Sequence, residues 1–295
     1  SSAASDVYKR QQQMARTQGR VGLIVAGLCW GSALGLALGA LVLAPAMPGS
    51  VDLGISDSKA GTSDDAQRDD SDRAAAQIEA DEANTLLARE SATIVSGALQ
   101  DVPVSIVRTA AADDEDVEAV RWLLNAAGAA DSGTITLTER FTDQASADEL
   151  SSIVANTLPA GAQLSVQERS PGTHAGESLA AVLFSGGAAE GPKAQGEEHA
   201  LVLETLRSAQ FIEYSGAIAP AGAIVIVDGP SRGGDFGANV LGDFARALSA
   251  GGSTVLASQD VDPEPLDSVN VVGAVDREVG RIQSVLAAAR AKSAG

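Results

Sequence analysis

The hydrophobic pattern changes along the chain, from one long apolar run to a polar stretch and then to an alternation of strands and helices. Val21 to Val51 is a run of 31 residues without a charged side chain. Its first part, residues 21–46, is long enough for one helix to cross a bilayer. Residues 47–72 are rich in Gly, Ser and Asp, and they predict a flexible, solvated linker.

Residues 73–100 predict a helical stalk, because apolar side chains recur at helical spacing along its later turns. The apolar positions are Ile78, Leu86, Leu87, Ile94, Val95, Ala98 and Leu99. The first half is rich in Ala and acids and shows no clean heptad, so a coiled coil and an ordinary amphipathic helix are equally compatible with it.

Residues 101–295 predict one extracytoplasmic α/β domain, because short apolar runs alternate with helical patterns. Strands are predicted at Val102–Val107, Thr134–Thr138, Phe211–Tyr214, Ala223–Val227, Thr254–Ala257 and Val269–Val272. Helices are predicted at Asp113–Ala127, Ala147–Thr157, Thr173–Phe184, Glu197–Ala209, Gly237–Leu248 and Arg277–Lys292. The fold class is therefore α/β, with a mostly parallel sheet flanked by helices. Ala223–Val227 is a continuous apolar run, which is typical of a central strand buried on both faces.

Glycines recur every fourth residue in the apolar run, at Gly27, Gly31, Gly35 and Gly39. This spacing places them along one face of a helix, where a second helix can approach closely. The run therefore predicts a single membrane span with a face for helix packing. The packing partner is a second copy of the chain or a second membrane protein.

The charges on either side of the run predict its orientation. Arg16 and Arg20 precede it, whereas the first charges after it are Asp52 and Asp57. The excess of positive charge on the cytoplasmic side places residues 1–20 in the cytoplasm and the C-terminal domain outside. Lys9 and Arg10 agree, but they belong to an opening stretch of about 11 residues that resembles a translated sequencing adapter, so they carry no weight.

A cleaved signal peptide is the alternative to a permanent anchor. The small residues Ala44 and Ala46 suit a cleavage site, but the apolar run is much longer than the roughly 7–15 residues of a signal peptide. An uncleaved anchor is therefore the preferred interpretation.

The charge balance excludes some partners. The chain carries 20 basic and 39 acidic residues, and after position 46 the balance is 16 to 38. Such a surface repels nucleic-acid phosphates, so no nucleic-acid partner is predicted. Cys29 is the only cysteine and lies in the apolar run, so the domain has no disulfide and depends on its hydrophobic core.

The segment from Asp228 to Gly237 lies between a buried strand and a helix, where open α/β sheets bind ligands. Its spacing matches neither the dinucleotide-binding glycine motif nor the P-loop, and Asp228 and Asp235 would repel phosphate. A plain flexible loop is the preferred interpretation. A partner or ligand loop built on Asp228, Arg232, Gly233, Gly234 and Asp235 is the alternative, and a nucleotide site is disfavoured.

The sequence offers few candidate residues for metal binding or catalysis. His174 and His199 are the only histidines and therefore weak candidates for a metal site, since copper favours clustered thiolate, thioether or imidazole ligands. No cofactor is predicted. The single cysteine lies in the apolar run, where it cannot serve the domain as a nucleophile, and the chain is predicted not to be an enzyme.

Several segments, taken in order, resemble the actinobacterial copper transporter family over nearly the whole chain after residue 20. They are Leu34–Leu41, Val104–Thr109, Gly133–Thr138, Leu158–Gly161, Leu206–Ile212 and, most distinctively, Val275–Ile282. The resemblance implies an N-terminal hydrophobic helix, a helical stalk and an α/β domain. The family name implies copper homeostasis or transport, or a part in an outer-membrane channel.

A second branch of this family resembles the extracytoplasmic subunit of a corynebacterial cell-separation complex that influences peptidoglycan hydrolysis. An anchor, a stalk and an acidic domain without catalytic residues fit this branch better than they fit a transporter. We therefore interpret the chain as a membrane-anchored interaction subunit of the cell envelope. Copper enters as a partner through the family resemblance alone.

Overall fold

The computed structural model describes residues 62–159, 162–184, 196–230 and 235–290. Contacts divide the chain into Ser1–Gln67 and Arg68–Gly295. The first unit contributes only the start of helix α1, Thr62–Val95, to the described residues. The apolar run and its packing glycines Gly27, Gly31, Gly35 and Gly39 lie outside them. None of the described helices is both long and apolar enough to cross a membrane.

After α1 the chain alternates between strands and helices as the apolar pattern predicts. The elements are β1 (Pro103–Thr109), α2 (Asp114–Ala126), β2 (Ala130–Leu137), α3 (Glu139–Thr142), a 3-10 turn (Gln144–Ser146), α4 (Ala147–Asn156), α5 (Pro171–Leu183), α6 (Gly196–Ser208), β3 (Ile212–Tyr214), β4 (Ala223–Asp228), α7 (Asp235–Ser249), β5 (Ser253–Ser258), β6 (Asn270–Val272) and α8 (Glu278–Arg290). The short α3 and the 3-10 turn are the two elements that the pattern did not predict.

The six strands form one sheet in the order β3-β2-β1-β4-β5-β6. All neighbours are parallel except β2 and β3, which are antiparallel. The predicted α/β class and mostly parallel sheet are therefore confirmed. Ala223–Val227 forms most of β4, which lies between β1 and β5 and is fully buried, as its continuous apolar sequence predicts.

Helices cover the sheet on both faces, because successive residues of each strand point to opposite sides. On one side, called here the α5/α7 face, Ile224 and Ile226 pack against helices α4 to α7. On the other, called the α2/α8 face, Val225 and Val227 pack against α1, α2 and α8. Each face has its own core cluster, built mostly from Ala, Val, Leu and Ile.

Helices α5 and α7 cross at close range because two glycines of α5 lack side chains. A Cβ atom on Gly172 would lie 2.1 Å from the carbonyl oxygen of Val240, and one on Gly176 would lie 2.6 Å from that of Phe244. Both distances are far below van der Waals contact. The glycines therefore set the distance between the two helices and the depth of the core beneath them.

Helix α1 differs from the predicted stalk in its start and in its buried side. It begins at Thr62, within the stretch for which the sequence indicated a linker. Of the predicted apolar stripe, Val95 and Leu99 are fully buried and Leu87 and Ala98 pack against the α2/α8-face core. The other three members are exposed, so the apolar stripe is buried only in part; they are Ile78, Leu86 and Ile94.

Candidate functional site

The sheet reverses its direction of growth between β1 and β4, which makes the carboxyl ends of these strands the topological switch point. The chain goes from β1 through α2 to β2 on one side, and from β4 through α7 to β5 on the other. Helices α2 and α7 lie on opposite faces, so the loops after β1 and β4 diverge and leave a crevice. Ligands of open α/β sheets bind at this place.

Two side chains meet in the crevice at the ends of these strands. The Thr109 hydroxyl donates a hydrogen bond of 2.7 Å to Oδ1 of Asp228. Burial raises the pKa of Asp228. The hydrogen bonds from Thr109 and from the Gly229 backbone lower it in part, and the charge of Asp260 raises it further. The fold thus holds a carboxylate where its charged form is disfavoured, which is a common property of functional sites.

The backbone itself narrows the crevice just beyond Asp228. A Cβ atom on Gly229 would lie only 2.0 Å from the carbonyl oxygen of Ala111, so the loops after β1 and β4 touch there. Of the predicted loop residues, Asp228 ends β4 and Asp235 begins α7. The remaining three lie outside the described residues: Arg232, Gly233 and Gly234.

A network of polar side chains lies beside the crevice, at the same carboxyl end of the sheet. Gln259 Nε2 donates 2.7 Å hydrogen bonds to Oδ2 of Asp113 and Oδ2 of Asp116. Arg281 pairs with Asp116 at 2.7 Å; the Asp116 side chain is buried and that of Arg281 is 14% exposed. The acids at the start of α2 therefore serve to join α2, the end of β5 and α8. A buried pair with these extra hydrogen bonds holds one geometry.

The two histidines occupy different surroundings. His174 lies in the first turn of α5, and its Nε2 is 3.1 Å from the carbonyl oxygen of Ser165. His199 lies in α6, where burial lowers its pKa and its Nε2 has no hydrogen-bond partner among the described residues. Over the described ranges, no three His, Cys, Asp or Glu side chains come together as a metal site requires.

We expect Asp228→Asn to stabilise the domain at neutral pH. The raised pKa means that the folded state binds this proton more tightly than the unfolded state. The protonated Asp228 carboxyl group therefore contributes its full stabilisation below the pKa that it has in the unfolded state. This stabilisation is lost as the pH rises through the pKa that it has in the folded state. Asparagine retains an oxygen that can accept from Thr109 but carries no charge. The melting temperature of the variant should exceed that of the parent at pH 7, and the two should converge below about pH 4.

Thermal unfolding of the chain between pH 3 and pH 7 measures this difference. Asp262→Asn is the control, since Asp262 is exposed in the loop after β5 and the same change should leave the pH profile unaltered. A variant at position 228 that melts below the parent at pH 7 would show that the carboxylate is favourably placed after all.

A second candidate site lies on the α2/α8 face, where the sheet is not covered by a core. The core cluster of this face contains residues of β1, β4, β5 and β6, but none from the described β2 or β3. The side chains that β2 presents here are Thr134 and Thr136, because Ile135 and Leu137 point into the opposite core. A groove of about 440 Å³ lies over these strands, with α2 as one wall. It is called the open-sheet groove below.

The floor of the open-sheet groove is polar and in register across three strands. Arg108 of β1 is paired with Thr136 of β2, which in turn is paired with Glu213 of β3. From α2, Arg121 donates a 3.0 Å hydrogen bond to the Thr134 hydroxyl. The site therefore combines a cation, hydroxyls and a carboxylate in one row.

The groove was not predicted from the sequence, although part of its signal is visible there. Thr134–Thr138 alternates between hydroxyl and apolar residues, which indicates a strand with one face outside the core. Arg108 likewise interrupts an apolar strand. Which side chains of other strands lie beside them depends on the register, which these local patterns do not contain.

Comparison with known proteins gives a consistent result. The family model described as "Copper transport outer membrane protein, MctB" matches residues 23–295. Proteins named "Copper transporter MctB" from Mycobacterium bovis and Mycobacterium tuberculosis are each 34% identical over 213 residues, covering 66% of this chain and 68% of theirs. The protein of the same name from Mycobacterium leprae is 33% identical over 226 residues, covering 69% of this chain and 70% of its own.

Proposed function

The chain belongs to the MctB copper transporter family, and from this premise we propose that it is a membrane-anchored, non-enzymatic interaction subunit of the cell envelope. Its α/β domain would lie outside the cytoplasm and act in cell separation through control of peptidoglycan hydrolysis. The observation that carries the proposal is the arm formed by residues 73–83 of α1.

The arm is exposed over its whole length. Every residue from 73 to 83 is exposed, and the first half-buried residue of the helix is Asn84, whose Oδ1 accepts a 2.8 Å hydrogen bond from the backbone N–H of Glu278. Ile78 on the arm and Leu86 just beyond it are 61% and 62% exposed. A helix that buries none of its apolar side chains is only marginally stable in water. Pairing with a second copy or with another membrane protein would stabilise it.

The chemistry of the described residues supports an interaction role over catalysis. The ring nitrogen of His174 approaches a backbone oxygen, not a serine hydroxyl or a carboxylate. The buried carboxylate Asp228 is held by a threonine hydroxyl. Neither arrangement pairs a nucleophile with a base, as acyl transfer requires.

A photo-reactive amino acid at Ile78 tests the arm directly. In an actinobacterial membrane, illumination of the full chain should give a defined adduct, either with a second copy or with another membrane protein, because the arm requires a partner to bury this position. The same photo-reactive residue at Val166 is the control, since Val166 is 77% exposed but lies in a domain loop. Equal adducts at both positions, or none at Ile78, would remove the support for an interacting arm.

The second candidate function is copper transport or homeostasis, including a part in an outer-membrane channel. The observation that favours it is the name "Copper transporter MctB" carried by the mycobacterial relatives. Any copper site on the described residues would have to start from His174 or His199, which are the only histidines of the chain.

We expect the full chain, purified in detergent, to bind copper weakly. His174 approaches a backbone carbonyl oxygen through Nε2, and the described residues supply no cluster of three ligands. Calorimetric titration with copper(II), and with copper(I) under reducing conditions, should show no stoichiometric binding at submicromolar affinity. Tight binding that is lost in the double variant His174→Ala, His199→Ala would favour the copper function over the interaction role.

A further inference from the structure

We propose that the open-sheet groove binds an uncharged, hydroxyl-rich ligand, namely a short saccharide. This inference rests on the groove alone and is independent of the arm that carries the proposed function. It starts from the polar row across β1, β2 and β3 and from the absence of a core over this part of the described sheet.

The groove carries charges of both signs, with one more carboxylate than guanidinium group. Two guanidinium groups, Arg108 and Arg121, face three carboxylates from Glu118, Asp131 and Glu213. Arg108 also pairs with Asp114 outside the groove, and Arg121 lies 3.6 Å from Glu118. A ligand with a net charge of either sign would meet like charges at close range. A neutral ligand would not be repelled.

The hydrogen-bonding groups require a ligand that both donates and accepts. Arg108 can only donate, Glu213 can only accept, and Thr136 between them can do both. Thr134 accepts from Arg121, so its own proton remains available to a ligand. Each hydroxyl of a saccharide can donate and accept, so adjacent hydroxyls can match this row.

The size and lining of the groove agree with a small polar ligand. Its volume of about 440 Å³ lies within the ~300–1,000 Å³ range of small-ligand pockets and accommodates about two sugar rings. The ring of Tyr214 is turned to the opposite face, where it packs against the α5/α7-face core and lies beside Arg207 of α6. Val117 is the one large aliphatic side chain among the described lining residues, whereas peptide side chains commonly require apolar pockets. The groove therefore favours a saccharide over a peptide.

Titration of the full chain in detergent with three uncharged disaccharides tests the proposal. The probes are cellobiose, maltose and N,N′-diacetylchitobiose, and N-acetyl-tri-alanine amide, which is blocked and uncharged at both ends, represents a peptide. Trp122, which follows Arg121 in α2 and is 54% exposed, provides a fluorescence signal beside the groove wall once Trp30 is replaced by Phe. At least one disaccharide should bind saturably with a dissociation constant of about 1 mM or tighter.

Substitutions of residues on the floor of the open-sheet groove test whether a saccharide binds there. Thr136→Val keeps the shape of the side chain and removes the hydroxyl, so affinity should fall by about tenfold or more. Glu213→Gln keeps an acceptor and removes the charge, so affinity for a neutral sugar should change by less than about threefold. Thr205→Val makes the same chemical change as Thr136→Val on α6, which packs on the opposite face, and should have no effect.

Three results would overturn the proposal. One is the absence of saturable binding by all three disaccharides at about 10 mM. Another is binding that survives both Thr136→Val and Glu213→Ala, the second of which changes an exposed side chain and should fold normally. The last is binding of the peptide amide without any sugar, which would make the groove a peptide site.

Discussion

Replacing Ile226 with Asp is expected to unfold the α/β domain. Ile226 has no exposed surface, and β4 is paired on both sides, with β1 and β5. Its side chain packs in the α5/α7-face core. The substitution loses roughly 2–3 kcal/mol of apolar burial. It also places a carboxyl group without a partner in the interior, which costs several kcal/mol more even if the group is neutralised. Total stability of about 5–15 kcal/mol leaves little after such a loss.

Soluble yield and far-ultraviolet circular dichroism measure this outcome. Val166→Asp is the matched control, because the same type of change at a 77% exposed position should leave both unaltered. An Ile226→Asp variant that melts within a few degrees of the parent would show that the interior of β4 tolerates charge, and hence that the strand is not central.

The architecture could be predicted because strands buried on both faces leave a continuous apolar run in the sequence. Ala223–Val227 and Thr254–Ala257 carry this signature, and both lie in adjacent central strands. The start of α5 was predicted at Thr173 and lies at Pro171, because the cap formed by Ser170, whose side chain accepts from the backbone N–H of Thr173, was not recognised in the sequence. Short elements such as α3, with four residues, contain too little periodicity for a prediction.

The candidate sites were less accessible to prediction because they combine residues that are distant in the sequence. The position of Asp228 at a strand end was predicted from the chain alone. Its burial depends on Thr109 at the end of another strand, and that contact required the sheet order. The open-sheet groove likewise depends on the register that brings Arg108, Thr136 and Glu213 into one row.

In the stalk, the local apolar pattern did not show which of the apolar side chains are buried. Apolar residues of α1 were assigned to one stripe, yet Leu86 is exposed while its neighbour Leu87 packs against the domain. Only the last turns of α1 meet α2 and α8. A hydrophobic pattern identifies apolar positions, but it cannot tell which of them face the domain and which face a partner or solvent.

Helix α5 contains two glycines four residues apart at its contact with α7. From the sequence, a four-residue glycine repeat was recognised in the apolar run alone. Gly172 and Gly176 have the same spacing, and there the structure shows backbones in direct contact with α7. In the interior of a folded domain, such glycines are required because the partner helix occupies the place of the side chain.

Gly176→Ala is therefore expected to destabilise the domain, although alanine favours a helix more than glycine does. The new Cβ would lie 2.6 Å from the Phe244 carbonyl oxygen and 2.7 Å from the Ala247 Cβ, so α5 and α7 must separate. Such overpacking costs about 1–3 kcal/mol beyond the roughly 1 kcal/mol gained from helix propensity. The melting temperature should fall by roughly 2–12 °C, with urea unfolding as a second measurement.

Gly242→Ala on α7 separates the two contributions, because it changes the same residue types within a helix where space is available. Its Cβ would meet only Leu266 side-chain atoms, at 3.5 and 3.8 Å, which is ordinary contact. Helix propensity then acts alone and should raise the melting temperature by roughly 2–4 °C. Opposite signs for the two substitutions would establish that Gly176 is fixed by the distance between α5 and α7. If both variants were stabilised, the two helices would have to be able to move apart at little cost, and the close crossing would not determine the core.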